Sequence, residues 1–231
     1  MPYFYTTHHV KENEPSSLEG AEAHHALRVR RYSPGDTIEV QDNKSNRGLL
    51  TINEVGRDHL RGVISRIIKT PPPSPLSITL YQAVTKKPAL ESIVQHATEL
   101  GVQSIVLFQA KHSPFTFAFD HQRWQRIASE ACKQSGRSEA PIISHTASLS
   151  PSNHSSLFVL DDSGTTSLPS LQTTYPSLNN CGIVIGPEGG LHTTELQNNT
   201  HIITLGPRTL RAETAALSSI AIAQSLWGDA Q

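Results

Sequence analysis

The rhythm of apolar and polar residues changes once along this chain, near Thr70. Before that point, short alternating segments run Thr37-Ile38-Glu39-Val40, Leu49-Leu50-Thr51-Ile52 and His59 through Ile68. Turn signals separate them at Ser33-Pro34-Gly35-Asp36 and Asp42-Asn43-Lys44-Ser45-Asn46. Alternation with a period of two, broken at such intervals, predicts a small β-barrel or sandwich. Pro71-Pro72-Pro73-Ser74-Pro75 then removes backbone donors and favours extended geometry, so residues 71–75 read as a linker. That boundary divides the chain into domains at 1–70 and 76–231.

Beyond the linker, strand-like and helix-like segments take turns. Leu76 to Val84 has the pattern of a strand. Pro88 falls in the first turn of a helix, where its missing N–H costs little. Leu90, Ile93, Val94, Ala97 and Leu100 follow at helical spacing, and Gly101 supplies the C-cap. Ile105 to Phe108 is a buried-type strand, and Asp120 caps a helix through Trp124, Ile127, Ala128, Ala131 and Cys132 that ends near Gly136. Leu157 to Leu160 is a short strand within a stretch, Ser144 to Asn180, whose Ser, Thr, Asn and Pro content suits long surface loops. Two β-branched runs, Gly182-Ile183-Val184-Ile185 and His201-Ile202-Ile203-Thr204-Leu205, then end in Gly-Pro turns, and Ala215 to Leu226 is an alanine-rich apolar helix. This alternation predicts an α/β fold, a parallel sheet with helices on both faces. The two Gly-Pro loops would lie side by side at the carboxyl edge of the sheet, where ligands bind in open α/β folds.

A chain of 231 residues allows one large domain or two small ones, each with ample core. The formal net charge of −1 advertises no nucleic acid, but its distribution is uneven. From His24 to Lys69, nine Lys and Arg face five acidic residues, whereas from Pro71 onward nine face eleven. The sign suits an RNA-facing N-terminal part, and it equally suits a solvated charged surface. Cys132 and Cys181 show no CxxC spacing and read as free thiols of a reducing compartment, so a cytoplasmic location is expected. No stretch approaches the roughly twenty apolar residues of a membrane span, and the N-terminus is too polar for a secretory signal.

Gly186-Pro187-Glu188-Gly189-Gly190 offers close backbone approach to a flat ligand. It is neither a G-x-G-x-x-G fingerprint nor a P-loop, which lowers the odds of a dinucleotide or a nucleoside triphosphate. In Arg208-Thr209-Leu210-Arg211-Ala212-Glu213-Thr214, Arg211 is a candidate for binding an anionic or carbonyl group, while Glu213 also fits a plain role at a helix N-terminus. Arg137, after Gln134-Ser135-Gly136, suits either a phosphate or the negative end of its helix. The pairs His8-His9 and His24-His25 point to opposite faces of an extended chain. With no ligand spacing elsewhere, no metal is expected. No G-x-S-x-G elbow supports a hydrolase.

Five stretches together carry a resemblance: His25 to Arg31 with Gly35-Asp36, Ala97 to Val102, Glu130 to Arg137, Ile185 to Gly190, and Leu205 to Ala215. In order and at this spacing, the sequence resembles the RsmE family of 16S ribosomal RNA uridine-N3 methyltransferases in the SPOUT superfamily. The resemblance implies a trefoil-knotted α/β domain preceded by a small PUA-like β-barrel that binds RNA. It implies S-adenosyl-L-methionine as cofactor, the small ribosomal subunit as partner, and a homodimer. Cofactor contacts would fall on Leu160, Ile185, Gly186, Gly189, Gly190, Leu205, Leu210, Arg211 and Thr214. Arg137 and Arg211 would stabilise charge on the uracil, Glu188 would accept its proton or hold the turn, and Arg28, Arg30 and Arg31 would hold RNA phosphates. The chain departs from the family at Gln109-Ala110-Lys111, where Ser-Glu-Arg is frequent, and at His96 and Ala89, where Lys is. The alternatives are a SPOUT enzyme acting on another rRNA or tRNA nucleotide and a non-catalytic RNA-binding or ribosome-assembly protein.

Overall fold

A computed structural model of the chain describes residues 3–70, 72–114, 118–151, 154, 156–195 and 200–230. Pro71 of the expected linker lies outside the described residues. The chain divides into two compact units, Met1–Pro72 with Cys132–Glu139, and Pro73–Ala131 with Ala140–Gln231.

The first unit is a five-stranded sheet in the order β1-β3-β4-β5-β2, the counterpart of the expected PUA-like barrel. β1 (Phe4–Tyr5) runs parallel to β3 (Thr37–Gln41), while β4 (Arg47–Val55), β5 (His59–Ile68) and β2 (Pro15–Glu19) complete it in antiparallel pairs. Alternation sends Ile38, Val40, Leu50, Ile52, Leu60 and Ile64 to one cluster with Phe4 and Leu18. Each of the larger aliphatic side chains contributes about 1.5–3 kcal/mol through burial. Register shifts at Leu49/Leu50 and Ile52/Glu54 bend the long pair β4–β5 so that it curls over this core. After β2, the helix α1 (Gly20–His24) continues into a π-helical turn, His25–Val29, and Ala23 and Ala26 join the cluster.

The turn between β3 and β4 is built on Asp42. Its Oδ1 accepts from the N–H groups of Lys44 and Asn46, both at 2.9 Å. Its Oδ2 bonds His9 Nδ1 at 2.6 Å and accepts from Asn46 Nδ2 at 2.9 Å and Val10 N–H at 3.1 Å. Burial alone would raise this carboxyl, but the bonds from Asn46, Val10 and His9 outweigh it and hold it well below the usual carboxylate range. Residues on either side of the turn grip the 132–139 segment of the same unit. The Arg137 carbonyl accepts from Tyr3 Oη at 2.9 Å and Arg47 Nη2 at 3.0 Å, and the Ser138 carbonyl accepts from Gln41 Nε2 at 2.7 Å. The Arg47 guanidinium lies 4.0 Å over the Tyr3 ring, and Lys133 pairs with Glu22.

The second unit is a seven-stranded, wholly parallel sheet in the order β10-β12-β9-β11-β6-β7-β8. The strands are β6 (Ser77–Ala83), β7 (Ser104–Phe108), β8 (Ile142–Thr146), β9 (Leu157–Leu160), β10 (Thr166–Ser167), β11 (Asn180–Ile185) and β12 (His201–Thr204). Its helices are α2 (Lys87–Glu99), α3 (His121–Ser135), whose last residues, 132–135, belong to the first unit, and α4 (Ala212–Trp227). Asp120 Oδ1 accepts from Arg123 N–H at 3.1 Å and so caps α3, and Gly101, at φ +90°, takes the left-handed position that ends α2.

Ile78, Leu80, Ile105, Leu107, Phe158, Ile183 and Ile185 share one core cluster with Leu90, Ile93, Val94, Trp124, Ala128, Ala216 and Ile220 of the three helices. The alternate strand positions, Tyr81, Ala83, Phe108, Val159 and Val184, form a separate cluster with Ala110, Leu149 and Leu191. The three long helices therefore pack on one face of the sheet, not on both as the alternation predicted. The reason is the connection from β8 to β9, whose polar 147–156 segment has no helical apolar stripe and whose described residues are irregular. His154 anchors it, bonding Tyr81 Oη at 2.7 Å and Asn180 Oδ1 at 2.9 Å. Cys181 lies in the helix-side core, where burial pushes its thiol up to about 12. Among the described residues no helix is long and apolar enough to cross a membrane.

Candidate functional site

β12, β9 and β11 are neighbours, and their carboxyl ends are in register: Leu160 pairs with both Ile185 and Ile203. With strands roughly 4.8 Å apart, three loops leave the same short edge of the sheet. They enclose a cleft of about 330 Å³, within the roughly 300–1,000 Å³ typical of small-ligand pockets. Leu160, Ile185, Leu205, Leu210 and Ala215 give it apolar walls, and Asp161, Asp162, Glu188, Arg208, Thr209 and Arg211 add polar groups.

The loop after β11 turns at Pro187, whose carbonyl accepts from Gly190 N–H at 2.9 Å. Gly190 sits at φ +73° with nothing within 4 Å of where a Cβ would stand, so its backbone is open to the cleft. Thr85 Oγ1 donates to Glu188 at 2.7 Å and ties the loop to the end of β6. That bond, opposed by partial burial and aided by the residue's own N–H and by Lys86, lowers the Glu188 carboxyl. On its outer side the loop is gripped by the segment after β7. His112 Nδ1 donates to the carbonyls of Gly189 and Gly190 at 3.0 and 3.2 Å. Glu195 accepts from the N–H groups of Lys111 at 3.0 Å and His192 at 2.8 Å.

The loop after β9 carries Asp161 and Asp162. Asp161 Oδ1 accepts from Ser163 N–H at 2.9 Å and Ser163 Oγ at 2.6 Å. Thr209 Oγ1 donates to Asp162 Oδ2 at 2.8 Å, joining this loop to the third one. The third loop, after β12, runs into α4. Arg211 is the N-cap residue with no side-chain cap bond, and its carbonyl receives Ala215 N–H at 2.8 Å. Ala212 and Ala215 put the first turn of α4 on the cleft, and Glu213 adds a carboxylate to that turn. A helix N-terminus favours electron-rich ligand groups.

Of the residues expected at the cofactor, Leu160, Ile185, Gly186, Gly190, Leu205, Leu210 and Arg211 line this cleft, and so does Glu188. Gly189 and Thr214 lie beside it without lining it: Gly189 faces His112, and Thr214 is exposed on α4. Arg137 belongs to the first unit. Arg28, Arg30 and Arg31 are exposed together on and just after the π-helical turn of that unit, Arg31 at φ +59°. Sequence reasoning missed Asp161, Asp162, Arg208 and Thr209 as lining residues, although each stands within two positions of one it named. The grip of His112 and Glu195 on the loop left no signal, because it joins segments roughly eighty residues apart. Among the described residues no three His, Cys, Asp or Glu side chains converge as metal ligands.

Glycine-bearing loops and a helix N-terminus around one cleft, accompanied by a small curled sheet, define a class. The RNA methyltransferase domain family matches residues 72–224 and the RNA methyltransferase PUA domain family matches 18–65, and the chain belongs to this family of RNA methyltransferases. Within it, the chain is similar to Ribosomal RNA small subunit methyltransferase E of Bacillus subtilis, 26% identical over 93% of this chain and 91% of that one. The same enzyme of Rickettsia conorii is 29% identical over 90% and 89%. A crystal structure of Ribosomal RNA small subunit methyltransferase E from Neisseria gonorrhoeae, bound to S-adenosyl methionine, shares the fold at a TM-score of 0.87, with 29% identity and full coverage of both chains. The resemblance carried by the sequence motifs is thereby borne out.

Proposed function

We propose that this chain transfers a methyl group from S-adenosyl-L-methionine to N3 of a uridine in the 16S RNA of the small ribosomal subunit. The observation that carries this reading is the cleft between the loops after β9, β11 and β12. Its apolar walls suit an adenine ring, and the open backbone at Gly190 and the first turn of α4 suit the ring's polar edge and the donor's other polar groups. Leu160, Ile185, Gly186, Gly190, Leu205, Leu210 and Arg211 would hold the cofactor, with Gly189 and Thr214 shaping the loop and helix beside it. When bound, the cofactor supplies an electrophilic methyl group.

N3 of uracil bears a proton at neutral pH and is a poor nucleophile until that proton leaves. Arg211, which lines the cleft, would stabilise the charge that develops on the uracil carbonyl oxygens, and Arg137 is proposed for the same role. Glu188, whose carboxyl the Thr85 bond lowers, is proposed to hold the loop in preference to accepting the proton. The target base leaves any helical stack to reach the cleft, while Arg28, Arg30 and Arg31 hold neighbouring phosphates. In this reading residues 1–70 bind RNA, 71–75 connect, and 76–231 form a trefoil-knotted methyltransferase that works as a cytoplasmic homodimer.

Mass spectrometry of 16S rRNA nucleosides from a deletion strain tests the target. Loss of N3-methyluridine is expected, and its persistence would assign the enzyme to another nucleotide. Calorimetry with S-adenosylmethionine separates an enzyme from a pure RNA-binding protein, which would give no heat. Arg211→Ala should abolish methyl transfer while leaving circular dichroism unchanged, and near-normal turnover would remove Arg211 from the site.

A further inference from the structure

We infer that Asp161 and Asp162 make this cleft select the cationic methyl donor over its neutral thioether product. The inference rests on the methyl-donor reading above and adds to it a source of cofactor discrimination and product release. The charged residues lining the cleft are Asp161, Asp162, Glu188, Arg208 and Arg211, so three carboxylates face two guanidinium groups and leave an excess negative charge. Glu188 is turned to Thr85 at one end. The two aspartates are different. Their carboxylates are fixed by the Thr209 hydroxyl at 2.8 Å and by the Ser163 amide and hydroxyl at 2.9 and 2.6 Å. These partners are neutral, so they orient the carboxylates without cancelling their charge. The Asp162–Thr209 bond also spans two of the three loops, which holds that charge at the mouth of the cleft although both side chains are exposed.

The donor carries a carboxylate, an ammonium and a sulfonium, and is a net cation. Transfer moves the methyl carbon to an N3 that has given up its proton to solvent, so the new N–C bond replaces the N–H bond. The C–S bonding pair stays on sulfur, the sulfonium becomes a thioether, and the product is a zwitterion of no net charge. The remaining atoms of donor and product are the same, so a recognition element that distinguishes them must read the sulfonium. A carboxylate held within about 4 Å of it, even screened by solvent, would change the ratio of the two affinities by about five- to tenfold per charge.

The test is calorimetric titration of the full chain with S-adenosylmethionine and, separately, with S-adenosylhomocysteine. Asp161→Asn and Asp162→Asn keep an oxygen for the Ser163 and Thr209 bonds and remove only the charge. Each should weaken the donor about five- to tenfold while leaving the thioether affinity unchanged, which itself reports an intact cleft. Asp161→Glu and Asp162→Glu should keep most of the donor preference. Equal losses for both ligands, or no change for either, would overturn the inference and assign the aspartates to the shared part of the ligand or to loop structure. If the unaltered chain binds neither ligand, the methyl-donor reading itself fails, and that outcome is distinct from an altered ratio in the variants.

Discussion

Asp42→Asn isolates how much of the first unit rests on one buried carboxylate. An asparagine keeps one oxygen for the N–H groups of Lys44 and Asn46 but turns an amide nitrogen toward His9, Val10 and the Asn46 side chain. The imidazole and the Asn46 amide can reorient to accept. The Val10 N–H cannot, and Val10 is only 3% exposed. One orphaned buried donor, together with the loss of charge assistance in the remaining bonds, costs about 3 kcal/mol. If Val10 exchanges through opening of this turn, its amide should exchange with solvent about a hundredfold faster in the variant. Acid should act in the same direction. The folded-state carboxyl lies below its ordinary value of 3.8, so its contribution is complete at pH values above that and is lost as pH falls from there toward the depressed folded value. The unaltered chain should therefore lose Val10 protection on acidification below about pH 4, and the asparagine variant should lack that component. Exchange within about threefold of the unaltered chain at neutral pH would refute the reasoning, because the orphaned donor alone predicts at least about a fivefold change.

Three further outcomes follow from the geometry. A Cβ at Gly189 would stand 2.9 Å from the His112 Cβ, so Gly189→Ala should weaken S-adenosylmethionine binding about tenfold by calorimetry. His112→Gly in the same chain removes the clash but also the imidazole that holds the loop, so it should restore binding only in part. Glu188→Gln should keep turnover within about threefold, whereas loss of a proton acceptor costs at least about a hundredfold; a loss of that size with unchanged cofactor affinity would return Glu188 to the chemistry. Replacing Arg28, Arg30 or Arg31 by alanine should flatten the dependence of log affinity for RNA on log salt by about 0.7 to 0.9 for each phosphate that is no longer neutralised, and an unchanged slope would place the RNA elsewhere.

The parts of the fold written in local chemistry are legible in the sequence. Asp120 caps α3, Gly101 ends α2, and the runs before the two Gly-Pro turns are β11 and β12. Other elements exist only because a partner accepts them. Pro15-Ser16-Ser17-Leu18-Glu19 has no β-branched residue and is a strand through pairing with β5. Ile142 to Thr146, half of it inside the polar stretch whose composition suits loops, pairs with β7. The side of the sheet on which a helix packs is likewise a tertiary choice. At the site, the loops are visible as Gly-Pro punctuation, and their mutual bonds are not. Asp162 meets Thr209 across 47 residues of sequence, a separation over which no periodicity carries information.

The first unit is assembled from two stretches of chain, Met1–Pro72 and Cys132–Glu139. The proline-rich segment at 71–75 looks like a place to cut, yet a fragment ending there would leave Tyr3, Gln41 and Arg47 facing solvent where they now bond the carbonyls of Arg137 and Ser138. Lys133 would be missing from Glu22 as well. The module is therefore not portable. A PUA-like unit transplanted from a relative would have to fit the backbone path of the host's 132–139 segment and its Lys133, and exchange of this unit between enzymes is constrained by a stretch that lies roughly sixty residues beyond its apparent end.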